Sequence, residues 1–389
     1  MRTVEELPLD NRRVLLRIDS DVPVAGGKVT DDTLVRQALP TVRFALDRGA
    51  RLVLAGHTGD CRGRRTKDCS MEPVAVRFAE LLSEQEVRLA DDCLGDGARK
   101  VVSDLRAGQV AILENLEFHP GEAANDEGFA RALAMLADVY VNDAPRVTRL
   151  RRASVHALPL LLRQRGIGFL LKRESDTYHR IRSGVPRPFV ALVGGLRVDE
   201  KLALIEGLVE HVDALVLAGA PATTFLAARG VSIGSSTAPT ERLPQVRSIL
   251  HHARERDVQV LTPNDVVVTR DPCAGDTRTV SVGQIESDEV IVDIGQETAN
   301  RFQRTLLQAR SVFWSGAMAM HGRAEWRRST EHMARMLADS GAFAIASGVT
   351  SASIVHAMGL ADRFDLVSTG GAASLELLKG GKLPGLEVL

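Results

Sequence analysis

Short apolar runs alternate with helical patterns along the whole chain, and this alternation constrains the fold more than any other feature. Runs of β-prone apolar residues predict strands at 14–18, 52–55, 110–113, 139–142, 189–193, 214–217, 258–261 and 343–346. Apolar residues at three- and four-residue spacing predict helices between them, at 72–83, 125–137, 199–211 and 323–340. Strand, crossover helix and strand, repeated this often, indicate an α/β fold with mostly parallel sheets covered on both faces.

The chain has 389 residues, which is more than one hydrophobic core usually supports, so we expect two domains. A polar segment that begins at residue 172 predicts a connecting helix, and Pro186 and Pro188 end it because proline cannot continue a helix. The boundaries predicted on this basis are an N-terminal domain at 1–171, a connecting helix and hinge at 172–188, and a C-terminal domain at 189–365.

Charge and composition exclude several classes of function. With 49 basic against 50 acidic residues, the net charge of −1 provides no general attraction for nucleic acid or an anionic membrane. No apolar run approaches the roughly 20 residues of a membrane span, and the first residues lack the apolar core of a signal peptide. The four cysteines show no paired metal spacing, so we expect reduced thiols and a cytoplasmic location.

Glycines follow several predicted strands in the C-terminal half. In open α/β sheets, ligands bind beyond the carboxyl ends of the strands, where glycine lets backbone amides approach phosphate. The glycines in such positions are Gly194, Gly195, Gly219, Gly348, Gly370 and Gly371. Together they predict a phosphate-binding crevice, although the P-loop and G-x-G-x-x-G fingerprints are absent.

Ordered motifs along the chain carry a family resemblance. Residues 17–23 (R-I-D-S-D-V-P) resemble R-x-D-F-N-V-P, and residues 113–122 (L-E-N-L-E-F-H-P-G-E) resemble L-E-N-x-R-F-H-x-x-E. Residues 138–144 read D-V-Y-V-N-D-A, 194–201 resemble G-G-A-K-V-x-D-K, and 367–376 resemble V-S-T-G-G-G-A-S-L-E. Over essentially its whole length, the chain is similar to the phosphoglycerate kinases.

This resemblance implies two Rossmann-like domains joined by a hinge, with residues 366–389 returning to the N-terminal domain. It implies a monomeric glycolytic kinase, a transferase that uses ATP or ADP with Mg²⁺ to phosphorylate a carboxylate, which is 3-phosphoglycerate in the family. The partners implied are therefore a small-molecule carboxylate in the N-terminal domain and an adenine nucleotide in the C-terminal domain.

On the acceptor side, the resemblance assigns substrate binding to Asp19, Asp21, His57, Asp60, Glu117 and Arg149. Asp19 and His57 match the family, whereas Asp21 replaces an asparagine. Arginines of the family are replaced at four positions, by Leu34, Asp60, Glu117 and Leu150. Because these arginines would hold or transfer phosphate, we expect an acidic pocket with little affinity for 3-phosphoglycerate, unless cations at 62–67 or 146–152 replace them.

On the nucleotide side, the resemblance assigns catalytic roles to Arg197, Gly348 and Gly371. It assigns nucleotide binding to Gly194, Gly195, Lys201, Gly219, Ser315, Thr350, Ser351, Thr369 and Gly370. Arg197 replaces the catalytic lysine, Ser315 an asparagine, and Gly322 lies near the place of a ribose-binding glutamate. Thr350 replaces the aspartate associated with Mg²⁺, so only a weak metal ligand is expected there. Lys201 matches the family's phosphate-contacting lysine, and its substitution is expected to change fold stability as little as an ordinary surface substitution does.

These departures leave three functions open. In the first, the protein is a kinase that activates an altered carboxylate, and an acidic pocket would suit one that carries an amine or guanidine. In the second, it is an inactive homologue that acts as a binding or regulatory protein. In the third, it is an ordinary phosphoglycerate kinase in which displaced arginines restore the site.

Overall fold

The computed structural model describes residues 1–273, 275–319 and 327–389. It divides into two compact units, the first formed by Met1–Thr177 with Ala372–Leu389 and the second by Tyr178–Gly371. The boundary between them falls inside one helix, and each unit contains its own parallel sheet.

The first unit is built on a six-stranded sheet in the order β5-β6-β4-β1-β7-β8, in which every neighbouring pair is parallel. The strands are β1 (Arg13–Ile18), β4 (Arg51–Ala55), β5 (Val87–Leu89), β6 (Val110–Ile112), β7 (Val139–Asp143) and β8 (Gln164–Ile167). A short antiparallel hairpin, β2 (Val24–Ala25) and β3 (Lys28–Val29), follows β1.

Helices cover both faces of this sheet. They are α1 (Thr33–Asp47), α2 (Glu72–Leu81), α3 (Gly95–Ser103), α4 (Pro120–Ala123), α5 (Glu127–Ala134), α6 (Leu158–Leu161), the first part of α7 (Phe169–Ser183), and the C-terminal α14 (Ala372–Leu378) and α15 (Pro384–Glu387). Side chains alternate along β1, so Val14 and Leu16 enter one apolar core while Leu15 enters the other. The central strand is therefore buried on both faces.

The second unit repeats this plan with the strand order β11-β10-β9-β15-β16-β17, again parallel throughout. Its strands are β9 (Phe189–Val193), β10 (Ala214–Leu217), β11 (Gln259–Leu261), β15 (Ser311–Ser315), β16 (Phe343–Ser347) and β17 (Leu366–Ser368). A separate antiparallel sheet, in the order β13-β12-β14, contains β12 (Asp265–Thr269), β13 (Arg278–Ser281) and β14 (Val290–Ile294).

The helices of the second unit pack on its parallel sheet and on the smaller one. They are α8 (Val198–Val209), α9 (Gly219–Ala228), α10 (Leu243–Glu255), α11 (Gln296–Leu307), α12 (Arg328–Asp339) and α13 (Val349–Ala357). Trp314 and Phe302 are fully buried in the core that joins α11, α12 and the sheet. No helix among the described residues is both long and apolar enough to cross a membrane.

The predicted fold class, two Rossmann-like domains with mostly parallel sheets, is confirmed. Each predicted strand overlaps an observed one, but the sequence analysis missed β5, β8, β15 and β17 and the antiparallel sheet. Of the helix predicted at 323–340, the described part begins at Arg328. β17 pairs with β16, so residues 366–368 belong to the second sheet, while Ala372–Leu389 belongs to the first unit.

The core of the second unit allows a matched test within α11. Phe302 is fully buried, whereas Leu307 in the same helix is 55% exposed. We expect Phe302→Ala to lower the free energy of unfolding by about 3–5 kcal/mol, and Leu307→Ala to change it by less than about 0.5 kcal/mol. Denaturation of the full chain followed by tryptophan fluorescence measures both, since buried Trp314 packs in the same core as Phe302. Equal effects of the two substitutions would contradict this packing.

Candidate functional site

The residues expected to bind the acceptor follow neighbouring strands of the first unit. Asp19 comes directly after β1, and His57 comes shortly after β4, which pairs with β1. Arg146 follows β7, the other neighbour of β1. Carboxyl ends of parallel strands lie at the same end of a sheet, so these side chains converge where α/β proteins bind ligands.

Arg17 is the organising charge at this end of the sheet, and it is fully buried. Its guanidinium donates to Ser154 Oγ (3.0 Å) and to the carbonyl oxygen of Ile18, and Nη2 lies 3.1 Å from His57 Nδ1. Glu122, also fully buried, accepts from the Ser154 amide (2.8 Å) and hydroxyl (2.6 Å). Ser154 therefore links the buried arginine to a buried carboxylate.

Burial also determines the state of His57. It lowers the pKa of His57 well below the ordinary value, and the neighbouring Arg17 charge lowers it further. The imidazole is therefore neutral at neutral pH and adds no positive charge to the site.

Two aspartates follow β1, and both contact Arg146 in the loop that follows β7. Asp19 Oδ2 accepts from the Arg146 amide (2.9 Å), while Asp19 Oδ1 is buried without a hydrogen-bond partner. Burial raises the pKa of Asp19 to about 6, although the Arg146 amide and the Arg17 charge oppose this shift. Asp21 accepts from the Gly59 amide (2.9 Å) and lies 3.8 Å from Arg146 Nη2.

An ion pair occupies the position of one missing arginine. Glu117 Oε1 pairs with Arg152 Nη1, and His57 Nε2 lies 3.7 Å from the same oxygen. Relative to the resemblance, the acid stands at an arginine position, and its arginine partner comes from the loop at 146–152. The positive charge near this position therefore comes from Arg152 in the neighbouring loop, and Glu117 neutralises it.

We call Arg17, Asp19, Asp21, His57, Glu117, Arg146 and Arg152 the acceptor cluster. It contains three arginines and three carboxylates, so its charges nearly balance instead of forming an acidic pocket. Asp60 is exposed and pairs with exposed Arg62, and Arg149 is exposed. Leu34 packs in the apolar core of α1.

Three residues of the acceptor cluster had no assigned binding role in the sequence analysis, or appeared there only as loop charges: Arg17, Arg146 and Arg152. A signal for Arg17 exists, because it is a charged residue inside an apolar strand pattern. Such a residue is buried only when it is paired.

Glycines bring three loops of the second unit into backbone contact. A Cβ on Gly194 would lie 2.1 Å from the Ala317 carbonyl oxygen, and one on Gly219 would lie 2.7 Å from the Gly195 carbonyl oxygen. The Gly194 amide donates to Ser315 O (2.8 Å) and the Gly195 amide to Ala317 O (2.7 Å). These two amides are therefore engaged within the protein, and the glycines serve close packing.

Lys201 lies beside these loops, in the first turn of α8, and donates to Ser315 Oγ (2.7 Å). It is half-buried, and desolvation lowers its pKa to about 8. The sequence analysis did not predict this burial. Arg197, at the position of the family's catalytic lysine, is 76% exposed and pairs with Glu200 (2.9 Å).

The helix α13 begins next to Ser315. Gly348 precedes it with φ +93°, and a Cβ there would lie 3.6 Å from Ser315 Oγ. Ser351 is buried and its hydroxyl accepts from the Gly316 amide (2.7 Å), so it fixes the loop after β15. We call Gly195, Lys201, Ser315 and Gly348 the nucleotide cluster, because an amine, a hydroxyl and a helix N-terminus suit phosphate.

Other predicted residues follow the same strands. Thr350 lies in the first turn of α13 and is half-buried. Thr369 and Gly370 are buried after β17, and Gly371 is exposed with φ +58°. Gly322 lies outside the described residues.

A cavity of about 490 Å³ opens beside Gly219 and Leu196 in the second unit. Its walls include Leu226, Ile291 and Met318, with hydroxyl groups of residues 235–237 among them. A largely apolar cavity with a few polar groups suits a planar base. The sequence analysis missed the cavity, because β14, which forms one wall, belongs to the antiparallel sheet that it did not predict.

A bound nucleotide would bring Mg²⁺ with it. Whether this chain can hold that ion depends on which oxygen ligands Thr350 and its neighbours offer. Mg²⁺ at phosphate sites is usually held by one or two carboxylates together with the phosphates. Of the described residues lining the cavity, Asp293 supplies the carboxylate, and it accepts from Ser329 Oγ (2.8 Å). Burial raises the pKa of Asp293 to about 6. The residues therefore suit phosphates, but Thr350 offers a metal only a neutral oxygen.

Comparison with known proteins agrees with this two-site arrangement. The family model described as Phosphoglycerate kinase matches residues 4–381. The phosphoglycerate kinase of Anaeromyxobacter dehalogenans (strain 2CP-C) is 42% identical over 392 residues, covering 100% of this chain and 98% of the relative. That of Thermomicrobium roseum is 41% identical over 390 residues, covering 100% and 99%.

Solved structures agree as well. The phosphoglycerate kinase from Coxiella burnetii superposes with a TM-score of 0.83 at 29% identity, and that from Pyrococcus horikoshii OT3 with 0.84 at 26%. Both alignments cover 100% of this chain and 98% of the other. The fold is that of the two-domain kinases, a class of enzymes that transfer phosphoryl groups. The chain belongs to the phosphoglycerate kinase family.

The lowered pKa of Lys201 predicts that this residue reduces the stability of the fold while it strengthens nucleotide binding. Between about pH 8 and the ordinary lysine value of about 10.4, the unfolded chain binds more protons than the native one, so stability rises with pH there. We expect Lys201→Met to stabilise the second unit at pH 7 and to remove this rise. We also expect it to weaken nucleotide binding by about 1.5–3 kcal/mol.

Fluorescence-monitored denaturation at pH 7 and pH 9.5, with calorimetric titration of Mg·ADP, measures these effects. Lys382→Met is the control, because Lys382 is 85% exposed. A loss of stability with unchanged nucleotide affinity would mean that Lys201 is structural.

Proposed function

We propose that the protein transfers the terminal phosphoryl group of ATP to the carboxylate of an acceptor that carries a cationic group where 3-phosphoglycerate carries phosphate. The observation that carries this proposal is the charge balance of the acceptor cluster. Each of its arginines is already compensated by carboxylates of this chain, either directly or through Ser154.

Electrostatics disfavours a phosphorylated acceptor. A phosphate near Arg152 would meet Glu117, and one near Arg146 would meet Asp21. A carboxylate about 4 Å from an anionic group costs on the order of 4 kcal/mol at an effective dielectric of 20. The arginines at four family positions are absent, so no further positive charge offsets this cost there.

The unpartnered oxygen of Asp19 favours a cationic acceptor. Asp19 Oδ1 is buried and has no donor, although a buried polar atom normally has one. An ammonium or guanidinium group of the acceptor would satisfy it. Such a donor would also favour the ionised carboxylate, whose pKa burial raises to about 6.

The nucleotide half of the proposal rests on Lys201 and the cavity beside Gly219. The cavity suits the adenine base, and Lys201, with the N-terminus of α13, would bind its phosphates. Bound Mg²⁺ would neutralise part of the phosphate charge. The acceptor carboxylate is itself the nucleophile, so the chain needs no general base and acts by positioning and charge compensation.

A second candidate function is binding or regulation without turnover. Leu34 favours it, because the family places at that position an arginine against the transferring phosphoryl group, and here the side chain is in the core. Ordinary phosphoglycerate kinase activity would require Arg146 or Arg152 to leave its carboxylate. The cytoplasmic location, the monomeric state and the glycolytic role stay predictions.

Hydroxylamine trapping of the acyl phosphate distinguishes these functions. The full chain is incubated with Mg·ATP, hydroxylamine and either amino or guanidino acids or 3-phosphoglycerate. We expect hydroxamate from a cationic acid and none from 3-phosphoglycerate. Asp19→Asn should raise KM for the cationic acid about 10–100-fold, which corresponds to a charged hydrogen bond of about 1.5–3 kcal/mol.

Hydroxamate from 3-phosphoglycerate would overturn the proposed acceptor. A thermal shift with nucleotide but no hydroxamate from any acid would instead establish the second candidate. Asp60→Asn serves as the matched control for Asp19→Asn, because Asp60 is exposed and outside the acceptor cluster.

A further inference from the structure

Three potential metal ligands lie close together beyond the ends of β5 and β6, the strands at one edge of the first sheet. Asp92 and Cys93 follow β5, and His119 lies beyond β6, the strand that pairs with β5. In the sequence, His119 comes 26 positions after Cys93, so no short metal-binding motif is visible. The parallel pairing of the two strands brings these side chains together.

The side chains are already grouped around one carboxylate. His119 Nε2 lies 2.7 Å from Asp92 Oδ1, and the Cys93 amide donates to the same oxygen (2.6 Å). One imidazole nitrogen, one carboxylate oxygen and the Cys93 sulfur all lie within 4.8 Å of one another. The aromatic ring of Phe129 packs against the imidazole, with centroids 5.6 Å apart, and restricts its orientation.

From this geometry we propose that Asp92, Cys93 and His119 bind one divalent transition-metal ion of the zinc class, with water as the fourth ligand. Nitrogen, oxygen and sulfur donors together select such ions over Mg²⁺ or Ca²⁺. Ligand atoms about 2.0–2.3 Å from zinc in a tetrahedron lie about 3.3–3.7 Å apart, so the present spacing requires only small movements.

Charge and access agree with this assignment. Binding breaks the S–H bond of Cys93, forms the metal–sulfur bond and releases one proton to solvent, while neutral His119 binds through Nε2 with its proton on Nδ1. The ionised aspartate and cysteine then cancel the ion's two charges, so the complex does not repel nearby Arg65. Asp92 and His119 are each about one-third exposed, which gives the ion a path, while Cys93 closes the inner side.

The site would connect to the acceptor cluster through the chain. His119 follows directly after the short turn Leu116–Phe118, which carries Glu117. A metal bound at His119 would therefore fix one end of the turn that presents Glu117 to Arg152.

Cobalt(II) tests the proposal on the full chain after treatment with a chelator. We expect one equivalent to bind, with the strong visible absorption of a tetrahedral site and a thiolate-to-cobalt charge-transfer band in the near ultraviolet. Cys93→Ser should abolish the charge-transfer band. His119→Gln should lower zinc affinity more than about 100-fold, since changing a residue that only hydrogen-bonds to a metal ligand already costs about 10–100-fold.

Asp91→Asn is the matched control, because Asp91 is the neighbouring acid and lies outside the three-residue group. It should leave both bands unchanged. Absence of a thiolate band in the wild-type chain would overturn the proposal, as would a band that survives Cys93→Ser. If Cys93→Ser does not fold, unchanged cobalt spectra and zinc affinity in His119→Gln, whose side chain is partly exposed, would overturn it equally.

Discussion

The internal pairing of arginines with carboxylates is the constraint on which the acceptor side of this protein depends. Arg17 is fully buried and connects through Ser154 to Glu122, and Arg152 pairs with Glu117. A buried charge without such compensation would be strongly destabilising. The carboxylates are therefore needed by the folded state, whichever acceptor binds, and they leave the site nearly neutral.

The nucleotide side follows a different rule, which is close backbone packing. A Cβ on Gly194 or Gly219 would collide with neighbouring backbone, so these glycines let the loops after β9, β10 and β15 meet. Their rigid contact places Ser315 against Lys201 and holds the lysine half-buried. Desolvation lowers the pKa of this ammonium group, whereas a bound phosphate would favour its charged form, so binding and stability are expected to oppose each other at Lys201.

The sequence predicted what depends on local pattern and missed what depends on distant pairing. Alternating strands and helices were sufficient to predict two parallel-sheet domains, because hydrophobic period and crossover topology are properties of neighbouring residues. The antiparallel sheet was also missed. Its strands β12 and β14 are as long as the predicted ones, but β13, which pairs with β12, is mostly exposed and carries little hydrophobic pattern. The Glu117–Arg152 pair joins residues 35 positions apart, so the sequence analysis counted the acid and the arginine separately and predicted an acidic pocket. The burial of Lys201 was not predicted for the same reason, since its partner Ser315, in β15, is 114 positions away.

Calorimetric titration of 3-phosphoglycerate into the full chain with Mg·ADP present tests the central claim most directly. The account predicts no saturable heat at millimolar 3-phosphoglycerate. It predicts detectable binding once Glu117→Arg and Arg152→His together remove the ion pair and restore the arginine that the family resemblance implies at position 117. Saturable binding of 3-phosphoglycerate by the unaltered chain would contradict it, because the arginines of the acceptor cluster would then be available to phosphate despite their carboxylate partners.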